Sequence, residues 1–200
     1  AVSAILLYTA PAIVTLLSAL LFKERLTGLK LLAVLLAFLG CALVSGLGAG
    51  DMALSTAGIL YGLGAGFGYA MYSIFARCAL ERGYSSNTIN FYSCLLAALG
   101  AALIWGVDGV FETAAASGGN LALAIGAGVV TCYLPYLLYT HGLTGMETGR
   151  ASIMASVEPV VATIVGAAVF HERMGLLSYC GVVLVLSAVV LLNAGPKRRV

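Results

Sequence analysis

The sequence predicts an all-α polytopic membrane protein with seven transmembrane helices. The first observation is composition: 62% of the 200 residues are hydrophobic and only 9% are charged, whereas a soluble domain carries about 25% charged residues. The second is that the apolar residues fall into seven segments of about 20 residues, the length that crosses a bilayer. The third is that the basic residues of the connectors lie almost entirely on one predicted side of the membrane.

The apolar segments are separated by short polar connectors, none long enough to hold a soluble domain. The predicted spans are roughly 2–22, 31–50, 56–76, 88–107, 120–140, 151–170 and 175–194. The net charge of +2 does not indicate a nucleic-acid partner. The five cysteines and two histidines lack the spacing of a metal site. We therefore expect a lipid bilayer around the chain and neither a metal nor another cofactor.

The connectors also set the predicted orientation. Nine of the ten basic residues fall on one side, namely Lys23, Arg25, Lys30, Arg77, Arg82, Arg150, Lys197, Arg198 and Arg199. The other side holds only Arg173. Because Lys and Arg concentrate in cytoplasmic loops, we predict a multi-pass protein of the cell (cytoplasmic or inner) membrane with its C-terminus in the cytoplasm.

The first and sixth spans are copies of each other. A shift of 148 residues, without a gap, aligns about 45 positions with 11 identities. Pro11 meets Pro159, and the pair Glu24–Arg25 meets the pair at 172 and 173. Apolar composition explains matched Leu and Val residues, but it does not explain a proline and a Glu-Arg pair at the same 13-residue spacing.

Copies that lie five helices apart must run in opposite directions through the membrane. Such an inverted-topology repeat is typical of secondary transporters, whose substrate site lies at the midplane between the halves. We predict that residues 1–50 are the last two helices of a truncated first repeat and that residues 51–200 are a complete second five-helix repeat. Three further helices, roughly 100 residues by analogy with the second repeat, are expected to precede this chain.

Two stretches carry a resemblance to a known family. "SVEPVVATIVGAAVFHERM" is similar to the penultimate-helix signature of the EamA-like family of the drug/metabolite transporter superfamily, and "GILYGLGAGFGYAMYSIFARCALERG" resembles its sixth helix. The resemblance covers the chain as helices four to ten of ten. It implies an inner-membrane carrier, commonly an exporter of amino acids or related metabolites. It also implies a central small-molecule cavity between the halves and no ATP site.

Glu158 is the acid expected at the midplane. It lies eight residues from Arg150, hence roughly 12 Å from the cytoplasmic end, in a core about 30 Å thick. A charged side chain there costs on the order of 2–3 kcal/mol or more. We predict that Glu158 faces the cavity, where it binds a substrate amine or carries a proton. The alternative is a protonated or hydrogen-bonded carboxyl that ties helices together. Its counterpart is Ala10, which favours the functional role.

The two prolines and a small-residue stripe are assigned to the scaffold. Pro11 and Pro159 each remove one backbone hydrogen bond, so we predict helix kinks, static or moving during transport. Gly58, Gly62 and Gly66 recur every four residues and predict close helix packing. The pairs at 24–25 and 172–173 end their helices, where interfacial anchoring is expected more than a gate salt bridge.

Three tyrosines are further candidates for the cavity wall. Tyr72 lies beside the small-residue stripe, and Tyr133 and Tyr136 lie mid-span near Pro135. We predict that these three side chains bind substrate together with Glu158. Simple packing is the alternative for each of them.

Three other functional classes compete with a carrier. A seven-helix receptor fits the span count, but it has no need of two antiparallel copies. An intramembrane enzyme is not expected, since no Ser/Lys, Asp/Asp or His-rich constellation lies at membrane depth. A non-transporting membrane partner stays open, as does a homodimer. The leading prediction is efflux of an amino acid or related metabolite, with proton coupling as a hypothesis that rests on Glu158.

Overall fold

A computed structural model describes residues 6–45, 56–171 and 175–194 of the chain, and the regular structure within these ranges is entirely helical. The α-helices are α1 (Ala10–Leu21), α2 (Gly28–Val44), α3 (Thr56–Glu81), α4 (Ser86–Trp105), α5 (Asp108–Ala116), α6 (Gly118–Ala127), α7 (Leu134–Leu143), α8 (Thr148–Ala155), α9 (Glu158–Val169) and α10 (Leu176–Ala194). A π-helix, Gly128–Tyr133, joins α6 to α7.

Five stretches of the described chain are long and apolar enough to cross a membrane. They are Thr56–Glu81, Ser86–Ile104, Gly118–Leu143, Thr148–Val169 and Leu176–Asn193. Helices α1 and α2 are apolar but shorter, and the predicted spans around them, 2–22 and 31–50, extend beyond the described residues. The count of seven spans therefore stays a prediction. The predicted pair at 172–173 and the basic residues 197–199 also lie outside the described residues.

Apolar side chains cover much of the described surface. Leu103 is 87% exposed, Leu176 is 80% exposed and Leu20 is 77% exposed. Water would make such a surface unfavourable by about 25 cal/mol per Å², whereas lipid chains solvate it. The exposed surface thus agrees with a multi-pass membrane protein.

Two predicted features differ from the structure in detail. The span predicted at 120–140 is not a uniform α-helix, because the π-helix interrupts it immediately before Pro135, whose ring and missing N–H disturb the ladder. The connector predicted between 107 and 120 forms the short helix α5. Asp108 lies in its first turn, where a carboxylate complements the helix dipole, and the alanines that follow favour helix.

The first and sixth predicted spans share one local backbone geometry. Helices α1 and α9 each contain 12 residues, and their bounds differ by the repeat shift of 148. Each follows a two-residue turn, Tyr8–Thr9 or Ser156–Val157. Each also precedes a non-glycine residue with φ of 54°, Lys23 or His171. The two segments therefore match residue for residue in conformation, while their opposite direction in a membrane stays a prediction.

Helices α2 and α10 pack backbone to backbone at two glycines. A Cβ atom on Gly40 would lie 2.7 Å from the carbonyl oxygen of Gly181, and one on Gly181 would lie 2.6 Å from the carbonyl oxygen of Gly40. Ala33 and Ala188 are fully buried in one cluster with Leu192. Small residues let helix backbones approach closely, so this contact fixes α2 against α10.

The chain divides into two compact units. Unit 1 comprises the described residues up to Phe75 and those from Gly145 onward, and unit 2 comprises Ala76–Thr144. The predicted segments 1–50 and 51–200 group residues by sequence repeat, whereas the units group them by proximity. The two compact units therefore do not test the division into two repeats, which stays a prediction.

Unit 2 is held by two polar side chains that satisfy backbone carbonyls. The Arg77 guanidinium donates to the carbonyl of Leu143 at 3.0 Å and to the Glu81 carboxylate at 3.0 Å. The fully buried Asn90 amide donates to the carbonyl of Tyr133 at 2.9 Å. An interrupted helix leaves carbonyls without their usual donors, and these side chains supply the donors in this unit.

Candidate functional site

A pocket in unit 1 lies between the two helix interruptions. It is open, and its empty volume, mouth included, is about 300 Å³. The lining residues are Leu7, Tyr8, Ala10, Pro11, Tyr69, Ser152, Ala155, Ser156 and Glu158. Four of these residues come from the interruption before α1 and four from the interruption between α8 and α9, and Tyr69 comes from α3. Two equivalent breaks therefore face the same space.

The prolines explain why both helices are interrupted beside the pocket. Pro11 and Pro159 each occupy a position in the first turn of the helix that follows the break, where a missing N–H is tolerated. Neither can donate to the carbonyl four residues earlier, which belongs to Leu7 in one copy and Ala155 in the other. Both of these residues line the pocket.

The carboxyl group and the two serine hydroxyls of the pocket come from one copy, whereas Tyr8 and Tyr69 line it from the other copy and from α3. Glu158 begins α9 and is exposed to the pocket, while Ser152 and Ser156 lie on the turn of helix before it. Ser152 is 1% exposed and Ser156 is 3% exposed. Neither hydroxyl has a hydrogen-bond partner within the described residues. Buried hydroxyls are normally hydrogen-bonded, so these two have unused capacity beside a carboxylate.

The second interruption packs against α2. The thiol of Cys41, a fully buried residue of α2, lies 3.6 Å from the carbonyl oxygen of Ser156. Cys41 also belongs to a buried cluster with Val160 and Val185, against which Tyr8 packs. This packing holds the turn at Ser156, and hence the direction in which α9 and Glu158 leave it.

The first interruption rests on the small-residue stripe of α3. A Cβ atom on Gly66 would lie 2.9 Å from Thr9 Oγ1 and 3.0 Å from the carbonyl oxygen of Leu6. The Thr9 hydroxyl donates to that same carbonyl at 2.7 Å. Gly62 is buried as well, and Gly58 is half-buried. The absence of a side chain at position 66 therefore allows the broken segment to approach α3.

The predicted site residues fall into two groups. Glu158 lines the pocket in unit 1. Tyr72 lies on α3, half-buried, and is not among the lining residues of that pocket. Tyr133 ends the π-helix and Tyr136 lies in α7, both in unit 2. None of the three tyrosines lines this pocket, and substrate binding by them stays a prediction.

Among the polar residues that line the pocket, Ser152, Ser156 and Tyr8 were not predicted from the sequence. Ser152 and Ser156 precede Glu158 by six and two residues, and Tyr8 precedes Pro11 by three. A signal was present, because the turn before a proline in an apolar helix is where backbone and side-chain polar groups become available. Searching the residues around both prolines would have found them.

A second polar cluster lies at one end of unit 1. The Glu24 carboxylate accepts hydrogen bonds from Lys30 Nζ at 2.8 Å and from the backbone N–H groups of Thr148 at 2.6 Å and Gly149 at 3.3 Å. Lys30 Nζ also lies 3.3 Å from a carboxylate oxygen of Glu147. The side chains of Glu24 and Lys30 are only 8% and 3% exposed. Glu24 is therefore bonded within the protein and is not an exposed end charge, while its position at a membrane interface stays a prediction.

The charge state of Glu24 follows from this environment. Burial raises the pKa of Glu24. The hydrogen bond and positive charge of Lys30 and the two backbone N–H groups lower the pKa by more than burial raises it. The net result is a pKa below the ordinary value of 4.5. Glu24 is thus a carboxylate at neutral pH.

The chemistry available at the pocket is recognition of a cation. A carboxylate and two hydroxyls without a partner in the described residues can all accept hydrogen bonds, and each proline removes the usual i+4 donor of one backbone carbonyl beside them. Such a set suits a protonated amine or a proton held by the carboxylate. Within the described residues no three His, Cys, Asp or Glu side chains are grouped as they would be for a metal ion.

Comparison with known proteins gives a family and a fold. The profile of the EamA-like transporter family matches residues 1–46 and 56–194. An uncharacterized transporter of Archaeoglobus fulgidus is 32% identical over 191 residues, which cover 96% of this chain and 66% of that protein. The uncharacterized transporter YwfM of Bacillus subtilis is 26% identical over 191 residues, which cover 96% of this chain and 63% of that protein.

A crystal structure of a protein matches this fold with a TM-score of 0.77 at 15% identity, covering 96% of this chain and 67% of that one. This likeness shows the fold alone. The chain spans about two thirds of the length of these relatives.

Proposed function

Because this chain belongs to the EamA-like transporter family, we propose that it forms the greater part of a secondary carrier that exports an amino acid or a related metabolite. The observation that carries the proposal is the pocket between the two proline-interrupted helices. Interrupted helices place backbone polar groups at membrane depth, where secondary transporters bind substrates and coupling ions. The pocket of this chain combines such groups with Glu158.

The inverted repeat is part of the same proposal. It is supported by the matched bounds of α1 and α9 and by the shared φ of Lys23 and His171. Two copies with opposite direction would let one end of the carrier close while the other opens. The prolines belong to this scaffold in both copies, since both follow the same two-residue turn.

Glu158 is proposed as the residue that recognises the substrate amine or carries the coupling proton. Its counterpart Ala10 has no polar side chain, so the carboxylate is an addition to the repeated scaffold. The unpartnered hydroxyls of Ser152 and Ser156 would accept further hydrogen bonds from an ammonium group. Tyr72, Tyr133 and Tyr136 are proposed as additional substrate contacts in the complete carrier.

The setting of the carrier is proposed from charge and family. The basic connectors would face the cytoplasm of a cell membrane, together with the C-terminus. Relatives longer than this chain suggest that further helices complete the cavity, and activity is therefore proposed for the full-length protein. The rival proposals are a non-transporting receptor or partner and, for assembly, a homodimer.

Transport in proteoliposomes tests the role of Glu158. The full-length protein would be reconstituted with the pH-sensitive dye pyranine inside, and a panel of common amino acids would be added one at a time. We expect Glu158→Gln to lower flux by about 100-fold, because a charge-assisted hydrogen bond contributes up to about 3 kcal/mol. We also expect any amino-acid-dependent pH change to disappear.

Glu81→Gln is the matched control, because Glu81 is a half-exposed carboxylate paired with Arg77 far along the sequence from the pocket. It should transport as the parent does. Parental flux and parental pH dependence in Glu158→Gln would remove Glu158 from the mechanism. Absence of flux for every amino acid in the folded parent would favour the non-transporting partner.

A further inference from the structure

The buried cluster of Glu24, Lys30 and Glu147 joins two parts of unit 1 that are far apart in sequence. Glu24 lies in the connector after α1, Lys30 lies in the first turn of α2, and Glu147 immediately precedes α8. Ser18 adds a hydroxyl that donates to Glu24 at 3.1 Å. The cluster therefore ties the end of the first interrupted helix to the start of the second.

Glu24 acts on α8 as a helix cap supplied from outside the helix. Glu147, the N-cap residue of α8, makes no side-chain capping bond. The first N–H groups of a helix need acceptors, and the Glu24 carboxylate accepts from two of them. Its negative charge also complements the positive end of the helix dipole. The contact thus combines an ion pair with a cap.

The fit depends on a glycine. A Cβ atom on Gly149 would lie 2.9 Å from Lys30 Cε and 3.2 Å from Thr15 Oγ1. Thr15 is 1% exposed, so the cluster covers it completely. Gly149 therefore allows α8, α1 and Lys30 to approach one another closely at the start of α8.

The corresponding positions in the second copy carry different side chains. At the shift of 148, Lys30 corresponds to Ser178 and Ser18 corresponds to Gly166. The second copy thus lacks the lysine and the hydroxyl at these positions.

We propose that Glu24, Lys30 and Glu147 form a latch, which closes one end of the carrier and separates from α8 when that end opens. The inference rests on the proposed carrier function. The eight residues of α8 lead from the latch to Ser156 and Glu158, a distance of about 12 Å. Movement of the latched end of α8 therefore moves the pocket wall. Lys30 keeps a carboxylate partner in Glu24, 2.8 Å away, after Glu147 moves away with α8.

Thiol labelling tests the latch without any transport measurement. The five native cysteines would be replaced by alanine and Thr15 by cysteine, which loses no hydrogen bond because the Thr15 hydroxyl has no partner. A charged methanethiosulfonate reagent would then label position 15 only when the latch opens. We expect Glu24→Gln and Lys30→Gln to raise the labelling rate about tenfold or more, since each removes a charge-assisted bond.

Two further variants sharpen the test. Glu81→Gln removes a carboxylate from an ion pair outside the latch and should label at the parental rate. The exchange Glu24→Lys with Lys30→Glu restores opposite charges but leaves a lysine at the start of α8, where it cannot accept from N–H groups. Labelling of the exchange variant should therefore stay fast. If Glu24→Gln does not fold, Glu24→Asp should change the rate in the same direction by a smaller factor.

Parental labelling rates in folded Glu24→Gln and Lys30→Gln would overturn the latch. Slow labelling of the charge exchange would overturn the capping part of it. A full-length protein that moves no solute would contradict the carrier function, whereas the labelling rates would still report whether the cluster opens. The two failures are therefore distinguishable.

Discussion

The two interrupted helices of unit 1 have the same backbone and different side chains. Both contain a two-residue turn, a proline in the first turn of the next helix, and a left-handed residue after that helix. One copy has Ala10 where the other has Glu158, and Ser18 where the other has Gly166. The comparison teaches that both copies of the repeat keep the helix break. The acid of the pocket, Glu158, and the hydroxyl of the latch, Ser18, each occur in one copy only.

This division has a physical reason. A proline in the first turn of a helix costs nothing locally and breaks the helix before it, so one residue defines the shape in both copies. A carboxylate at membrane depth is costly, so such residues are rare and usually have a function. Repeating it would place two such costs in one pocket. The comparison between the copies therefore separates residues that shape the pocket from residues that give it chemistry.

Moving an acid to the other copy tests this separation most severely. Ala10→Glu would bring a second carboxylate to a position that is 2% exposed and lines the same pocket as Glu158. An uncompensated buried charge costs about 3–5 kcal/mol, so we expect a large loss of thermal stability in detergent. Glu158→Ala, at an exposed position, should keep the parental melting temperature.

The combination Ala10→Glu with Glu158→Ala completes the test, because it leaves one acid in the pocket on the opposite wall. We expect it to stay less stable than the parent and not to recover transport. Parental stability and flux in this variant would mean that the two copies are interchangeable, which would contradict the assigned difference between them.

Substitutions at the close contact between α2 and α10 should change thermal stability by an intermediate amount. Gly40→Ala would place a methyl group 2.7 Å from the backbone of α10, and overpacking of this kind costs about 1–3 kcal/mol. Gly68→Ala is the matched control, since no atom lies within 4 Å of its Cβ position and alanine favours helix by up to about 1 kcal/mol. Thermal unfolding should show opposite shifts. Equal changes in melting temperature for the two variants would show that the added methyl group at position 40 does not disturb the packing of α2 against α10.

Much of the fold was predictable from the sequence, because apolar segments and prolines act locally. Each of the seven predicted spans contains helix, and the resemblance to the EamA-like family is confirmed by the family match. The π-helix before Pro135 and the helix α5 were missed. Hydropathy cannot distinguish a π-turn from an α-turn, and a connector of mixed polarity gives a weak signal even where Asp108 and alanines favour helix.

The site was predictable only where one residue stood out. Glu158 was identified because an acid is rare in an apolar helix. Ser152 and Ser156 are common residues whose meaning comes from the pocket, so the sequence alone did not mark them. Glu24 was assigned to the interface because its partners, Thr148 and Gly149, lie more than 120 residues away. Contacts between distant segments depend on packing, which one sequence without its structure does not reveal.

The titration of Glu24 should give the smallest effect and tests whether its charge contributes to the latch. Its pKa lies below 4.5 in the folded state because Lys30 and two backbone N–H groups outweigh burial. A lowered pKa contributes stability that is complete above the unfolded pKa and is lost as pH falls through the folded value. Melting temperatures of the parent and Glu24→Gln should therefore run parallel from neutral pH to about pH 5 and converge below pH 4.5. Taking the difference cancels the titration of Lys30, Glu147 and the other carboxyls that both proteins share. Curves that stay parallel to the acid limit would show that the Glu24 charge contributes nothing to the closed end, and the latch would then depend on shape alone.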